Sequence, residues 1–294
     1  MLLKLIILMI LLFAKEVSAR SIEDRFPYKF IYKPEFKKGD VNSITITLIV
    51  KSAVPNFRLR NAIRDTWGNE NQNIPNTNIR TVFNVGLSNA TKLAMESYVF
   101  EDILQSDFQD SYWNLTAKTV MGIRWAMEMC KSSDFFLLSD DDYLILLKRI
   151  VDYLRRSGFH KNDPLYIGYF TSRRPQRERG QKWKVSYEEY PRSLYPPFVV
   201  GGAVVLSRKG LEAMSQGIAK AQYIRLEDVF LGLAAETVGL KPINLSTVSR
   251  YCIKNQLFSG KVDILKEKIM VSHGFNKASD LEPYWEKLKS QGIV

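Results

Sequence analysis

Residues 43–50 read SITITLIV, a β-branched run that is apolar at each of its last three positions. A strand with one face in water alternates apolar and polar residues, whereas an uninterrupted apolar run must be covered on both faces. This one segment therefore calls for a parallel sheet with helices on either side. The rest of the chain supplies the layers. Residues 79–85 and 135–139 are further strand-like runs, and 115–129 carries Val120, Ile123 and Met127 at helical spacing. Leu147, Ile150, Val151 and Leu154 repeat that stripe ahead of Gly158, a helix stop. Residues 198–207 read as one more strand and 229–238 as a helix closed by Gly239. Ser279-x-x-Glu282 reads as a capping box opening a C-terminal helix. The expectation is an α/β fold with a mostly parallel central sheet flanked by helices.

With 46% hydrophobic residues in 294, the chain lies far from the composition of disordered proteins. The domain is expected over 43–294, preceded at 20–42 by a polar, Lys- and Pro-containing stem without periodicity. Ahead of it, residues 1–19 hold an apolar run from Leu2 to Ala14, broken by Lys4 and ending in Val17-Ser18-Ala19. That run is shorter than the roughly 20 residues that span a bilayer, so it reads as a cleaved signal peptide or a short signal anchor. Either reading implies that the remainder is lumenal or extracellular. Three N-x-S/T triplets, at Asn89, Asn114 and Asn244, fit that compartment, with Asn114 the expected glycosylation site. Two cysteines, Cys130 and Cys252, are too few for a disulfide scaffold and can either pair or stay as buried thiols. Two histidines exclude a His-rich metal centre, so any metal must lean on carboxylates.

The acidic residues carry the chemistry. Asp140-Asp141-Asp142 follows the buried run FFLLS directly, and ligand sites in open α/β sheets lie beyond the carboxyl ends of the strands. Three adjacent carboxylates repel one another, and a divalent cation shared with substrate phosphates relieves that repulsion. A solvated acidic turn is the alternative. Glu227-Asp228 stands immediately before the apolar helix VFLGLAAETVG, where a carboxylate can cap the helix or act as a general base. Arg60 and Arg64 are four apart on one helix face, able to grip a phosphate or simply to pair with surface acids. His273, after KIMVS, reads on its own as a core histidine or a ligand. The net charge of +11 favours an anionic partner, and the basic stretch 173–184 contributes to it. With Trp183 its only aromatic, that stretch lacks base-stacking platforms and reads as a loop over a substrate groove rather than a nucleic-acid site.

In order along the chain, RNAIRDTWG, FEDILQSDFQDSYWNLTAKT, FFLLSDDDYLI, YPPFVVGGAVVLS, LEDVFLG, and SHGF with PYWEKL resemble the β-1,3-galactosyltransferase-like enzymes of glycosyltransferase family 31. The resemblance runs from about Ser43 to Leu288. It implies a GT-A type fold and transfer of a hexose or N-acetylhexosamine, with galactose the expected sugar. The donor would be a UDP-sugar, and the acceptor a sugar hydroxyl of a glycoprotein or glycolipid glycan. The linkage would be β-1,3, formed with inversion and Mn²⁺, in the Golgi lumen or at its membrane through the N-terminal segment. It makes Asp228, with Glu227 beside it, the catalytic base position. Asp140 and Asp141, with Arg60 and Arg64, fall on the donor side, and Asp142 and His273 on the metal. Where the family often has Lys-Thr before the acidic triplet this chain has Leu138-Ser139, and Gly201-Gly202-Ala203-Val204 replaces a Gly-x-Gly-Tyr pattern. The residues themselves leave two other readings open, a metal-dependent phosphohydrolase and a non-catalytic carbohydrate-binding relative.

Overall fold

The computed structural model describes residues 21–36, 39–40, 42–88, 93–245, 248–252, 254–264 and 266–294. The N-terminal apolar segment and Asn89 lie outside them. Strands β1 (Phe30–Tyr32), β2 (Ile44–Lys51), β3 (Thr77–Leu87), β4 (Ile103–Gln109), β5 (Phe135–Asp140), β7 (Tyr166–Gly168), β10 (Val204–Ser207) and β11 (Pro242–Asn244) form the main sheet. Their order is β1-β4-β3-β2-β5-β10-β7-β11. Its centre, β4-β3-β2-β5, is parallel, as are β7 and β11, while β1 and β10 pair antiparallel with their neighbours.

Successive residues of the central strands point to opposite faces and so feed two cores. On β2, Ile46, Leu48 and Val50 join one core and Ile49 the other; on β5, Phe135 and Leu137 alternate with Phe136 and Leu138 in the same way. Helices α2 (Phe57–Asp65), α5 (Leu147–Arg156) and α9 (Ala278–Ser290) cover the first core. Helices α4 (Leu115–Met129), α6 (Arg208–Lys220) and α7 (Glu227–Thr237) cover the second. Each such buried side chain contributes about 1.5–3 kcal/mol of transfer free energy. This is the mostly parallel, helix-flanked α/β sheet expected from SITITLIV, and α5 ends before Gly158 at φ +66° as the glycine required.

Three expectations are corrected. Residues 198–207 are two strands, β9 (Phe198–Val199) and β10, because Gly202 at φ +96° turns the chain between them. Helix α9 begins at Ala278 with Lys277 as its N-cap and no side-chain cap, so Ser279 lies inside the first turn. The boundary at 43 is too late, since α1 (Ile22–Arg25) buries Ile22 in the second core and β1 extends the sheet beside β4. Cys130 is a free, buried thiol, and burial pushes its pKa up to about 12.

A second sheet places the remaining site residue. In it β13 (Val271–His273) lies between β12 (Val248–Cys252) and β6 (Tyr143–Ile145), and His273 falls opposite Tyr143. The backbone amides of Gly274 and Phe275 both donate to the Asp142 carbonyl at 2.9 and 2.8 Å, fixing this strand end against the acidic turn.

Candidate active site

Lys51 closes β2 and sits directly opposite Asp140 in the parallel β2–β5 register. Its side chain is only 4% exposed, and its ammonium reaches Asp140 Oδ1 at 2.9 Å and Glu227 Oε1 at 2.5 Å. Burial pulls this ammonium's pKa down, but the two carboxylates outweigh it and hold the value above that of an ordinary lysine. Thr119, on α4, donates its hydroxyl to the same Glu227 oxygen at 2.6 Å. One buried cation thus ties the strand-end triplet to the first turn of α7.

Asp228 stands next to this pair, without a side-chain cap to perform. The N-cap of α7 is Leu226, and Glu227 and Asp228 occupy the first turn, where the helix dipole favours acids. Burial, with the Glu227 charge alongside, pushes the Asp228 carboxyl up to about 7; the Gly201 backbone hydrogen bond and Lys51 act the other way. The approach of Gly201 is close enough that a Cβ there would lie 2.6 Å from Asp228 Oδ1. Ser139 donates its hydroxyl to the Gly202 carbonyl at 2.7 Å, and Tyr143 donates its own to Gly201 at 3.1 Å. A Cβ on Gly202 would fall into the Tyr143 ring. Gly202→Ala is therefore expected to lower the melting temperature and to disturb the Asp228 environment, because both the positive φ and the ring contact oppose it. Thermal denaturation of the variant checks this.

Asp140, Glu227 and Asp228 line a cavity of about 320 Å³. Exposed Trp113, Trp183, Arg173 and Arg174 line it too, so the 173–184 stretch contributes to its wall. Asp142 is not among the lining residues. Its Oδ2 is 2.9 Å from His273 Nε2, and that bond raises the imidazole's pKa against the lowering effect of burial. Asp142 Oδ1 is buried with no hydrogen-bond partner, the kind of orphaned acceptor that a cation satisfies. Among the described residues no three His, Cys, Asp or Glu side chains converge as a metal-binding group. The residues fit a cation that takes two ligands from the protein and the rest from a bound diphosphate.

The two arginines are the clearest correction. All five N–H donors of Arg60 are spent inside the protein: two on Glu96, one on the Ser52 hydroxyl and two on the carbonyls of Ala53 and Val54. Arg64 pairs bidentately with Asp102 at 2.8 Å and also meets Glu96 at 2.7 Å. Neither guanidinium is open to a phosphate. Arg60 instead supports the site at one remove, since Ser52 donates to Asp141 Oδ2 at 2.6 Å and Asn56 adds a second bond at 2.9 Å. Asp141 is thereby turned to the loop before α2, and burial raises its pKa. Sequence reasoning missed Lys51 and Tyr143. The signal for the first was a lysine ending an otherwise apolar strand.

A family model described as galactosyltransferase matches residues 58–246. The β-1,3-galactosyltransferase brn of Drosophila melanogaster is 34% identical over 276 residues, covering 93% of this chain and 83% of that protein. The lactosylceramide 1,3-N-acetyl-β-D-glucosaminyltransferase of Mus musculus is 34% identical over 284 residues, covering 90% of this chain and 71% of that protein. The β-1,3-galactosyltransferase 5 of Mus musculus is 31% identical, with 83% and 79% covered. By its motifs, its site and these matches, the chain belongs to the galactosyltransferase family.

Proposed function

We propose that this protein is an inverting hexosyltransferase that moves galactose or an N-acetylhexosamine from a UDP-sugar to a hydroxyl of a glycoprotein or glycolipid glycan, forming a β-1,3 linkage. One observation carries the reading: Lys51 pairs with Asp140 and Glu227, and beside them the buried Asp228 stands as the high-pKa carboxylate lining the cavity. A base with a value near the working pH is the best compromise between being ionised and being basic. The acceptor oxygen attacks the anomeric carbon from the face opposite UDP, Asp228 takes the hydroxyl proton, and the breaking C–O bond leaves its electron pair on the diphosphate. A single displacement of this kind inverts the carbon and needs one base on the acceptor side. Family membership favours this over the phosphohydrolase and non-catalytic readings.

Asp142 and His273 would hold a divalent cation, Mn²⁺ by the family resemblance. When bound, it supplies charge neutralisation to the leaving diphosphate. Chelation is expected to abolish transfer, and Asp142→Ala to abolish metal-dependent UDP binding, read by titration calorimetry. Full activity in excess chelator overturns the assignment.

The protein works in the lumen of the secretory pathway, in the Golgi or at its membrane. The N-terminal apolar run and the sequons support this reading. Asn244, in the sheet-edge strand β11, is exposed, whereas Asn114 is half-buried and donates its amide to the Gln109 carbonyl at 2.8 Å. Expression in a eukaryotic cell is expected to give a product whose mass falls on glycosidase treatment. A cytosolic product with no such shift contradicts the localisation.

A further inference from the structure

The lining of the cavity carries both signs of charge: Asp140, Glu227 and Asp228 are acidic, and Arg173 and Arg174 are basic. Neither of these guanidinium groups has a hydrogen bond or ion pair among the described residues, although both are exposed at the cavity wall. Arg225, which also lines the cavity, is by contrast committed: it lies 4.8 Å over the Trp113 ring, pairs with Glu189 at 3.7 Å and donates to the Lys184 carbonyl. The same wall carries aromatic side chains. Trp113 is 50% and Trp183 44% exposed, and the indole N–H of Trp183 donates to the Tyr112 hydroxyl at 2.8 Å, fixing the two rings together.

Exposed indoles at a cavity mouth are apolar surface held in water, and a pyranose ring presents a matching apolar C–H face. Two uncommitted guanidinium forks are anion receptors, able to take a carboxylate, sulfate or phosphate bidentately. The donor diphosphate is the competing occupant. It belongs with Asp142 and His273, however, and neither of those lines this cavity; of the residues expected on the donor side only Asp140 does, together with the base Asp228. On the proposed function, Arg173 and Arg174 are therefore on the acceptor side.

We propose that the acceptor is an anionic saccharide, whose ring lies against Trp113 and Trp183 while a carboxylate, sulfate or phosphate on it or on the adjoining unit is held by Arg173 and Arg174. Repulsion from Asp140, Glu227 and Asp228 favours the anion at the arginines and leaves the uncharged hydroxyl for Asp228. A neutral acceptor gains only the stacking.

The test compares matched acceptors, a neutral disaccharide and its uronate, sulfate and phosphate derivatives, with the full chain, UDP-sugar and Mn²⁺. The wild-type enzyme is expected to favour at least one anionic form by roughly 10-fold in kcat/KM, through KM, with the preference shrinking at high salt. The three arms identify which anion is taken. In Arg173→Gln/Arg174→Gln the ratio of anionic to neutral kcat/KM is expected to fall to about one, with the Kd for UDP unchanged. Equal kcat/KM for neutral and anionic acceptors in the wild type overturns the acceptor class and leaves the transferase reading standing. A weakened UDP affinity in the double variant reassigns the arginines to the donor and also overturns it. Absence of both UDP binding and transfer to any acceptor overturns the transferase reading itself, and this proposal with it.

Discussion

Asp228→Asn is expected to lower turnover by roughly 10² to 10⁴, the usual worth of a positioned general base, while UDP affinity changes little. The substitution keeps the shape and an acceptor oxygen for the Gly201 amide but removes the proton acceptor. Glu227 is the rival for the role, and its geometry argues against it. Its Oε1 is already engaged by Lys51 and Thr119, so that oxygen is not free to receive the proton of an acceptor hydroxyl. Loss of turnover in Glu227→Gln with near wild-type turnover in Asp228→Asn reverses the assignment. The pH behaviour follows from the Asp228 carboxyl standing at about 7 against an ordinary 3.8. Activity is expected to rise as pH passes through about 7, because only the ionised form accepts a proton. Stability runs the other way. The folded state holds this proton more tightly than the unfolded chain, so its contribution is full below about pH 3.8 and is lost as pH rises through 7. Asp228→Asn is accordingly expected to melt higher than the wild type at pH 8, with the gap closing towards pH 4.

Lys51→Met is expected to be the most damaging substitution outside the base. Removing one partner of a buried ion pair leaves the other uncompensated, at a cost of about 3–5 kcal/mol. Here Glu227, with a side chain 10% exposed, bears most of that, and Asp140, 32% exposed, is partly relieved by solvent. Loss of the nearby cation also pushes the Asp228 carboxyl further up, so the acid limb of the rate profile is expected to move to higher pH. Denaturant unfolding measures the first effect and a pH–rate profile of the surviving protein the second. An unchanged profile separates Lys51 from the base.

What the sequence allowed to be read depended on how far apart the interacting residues stand. The acidic triplet was legible because strand and carboxylates are contiguous, and SITITLIV carried its own burial pattern. Arg60 and Arg64 were placed on one helix face correctly, but their partners Glu96 and Asp102 lie more than thirty positions away. Spacing along a helix says nothing about acids that a later helix and the turn after it bring in. Nothing local to Lys51 marks its partner, and only the pairing of β2 with β5 sets it against Asp140. His273 became a site residue through the family resemblance alone, since a short β13–β6 pairing, invisible in the sequence, is what aligns it with Asp142.

The most direct measurement is a transfer assay in which the purified chain and Mn²⁺ are offered a panel of UDP-hexoses and glycan acceptors, with the new bond read by nuclear magnetic resonance. The account predicts a β-anomer at the 3-hydroxyl formed from an α-linked donor, and its loss in Asp228→Asn. An α-linked product, or undiminished transfer by Asp228→Asn, contradicts it.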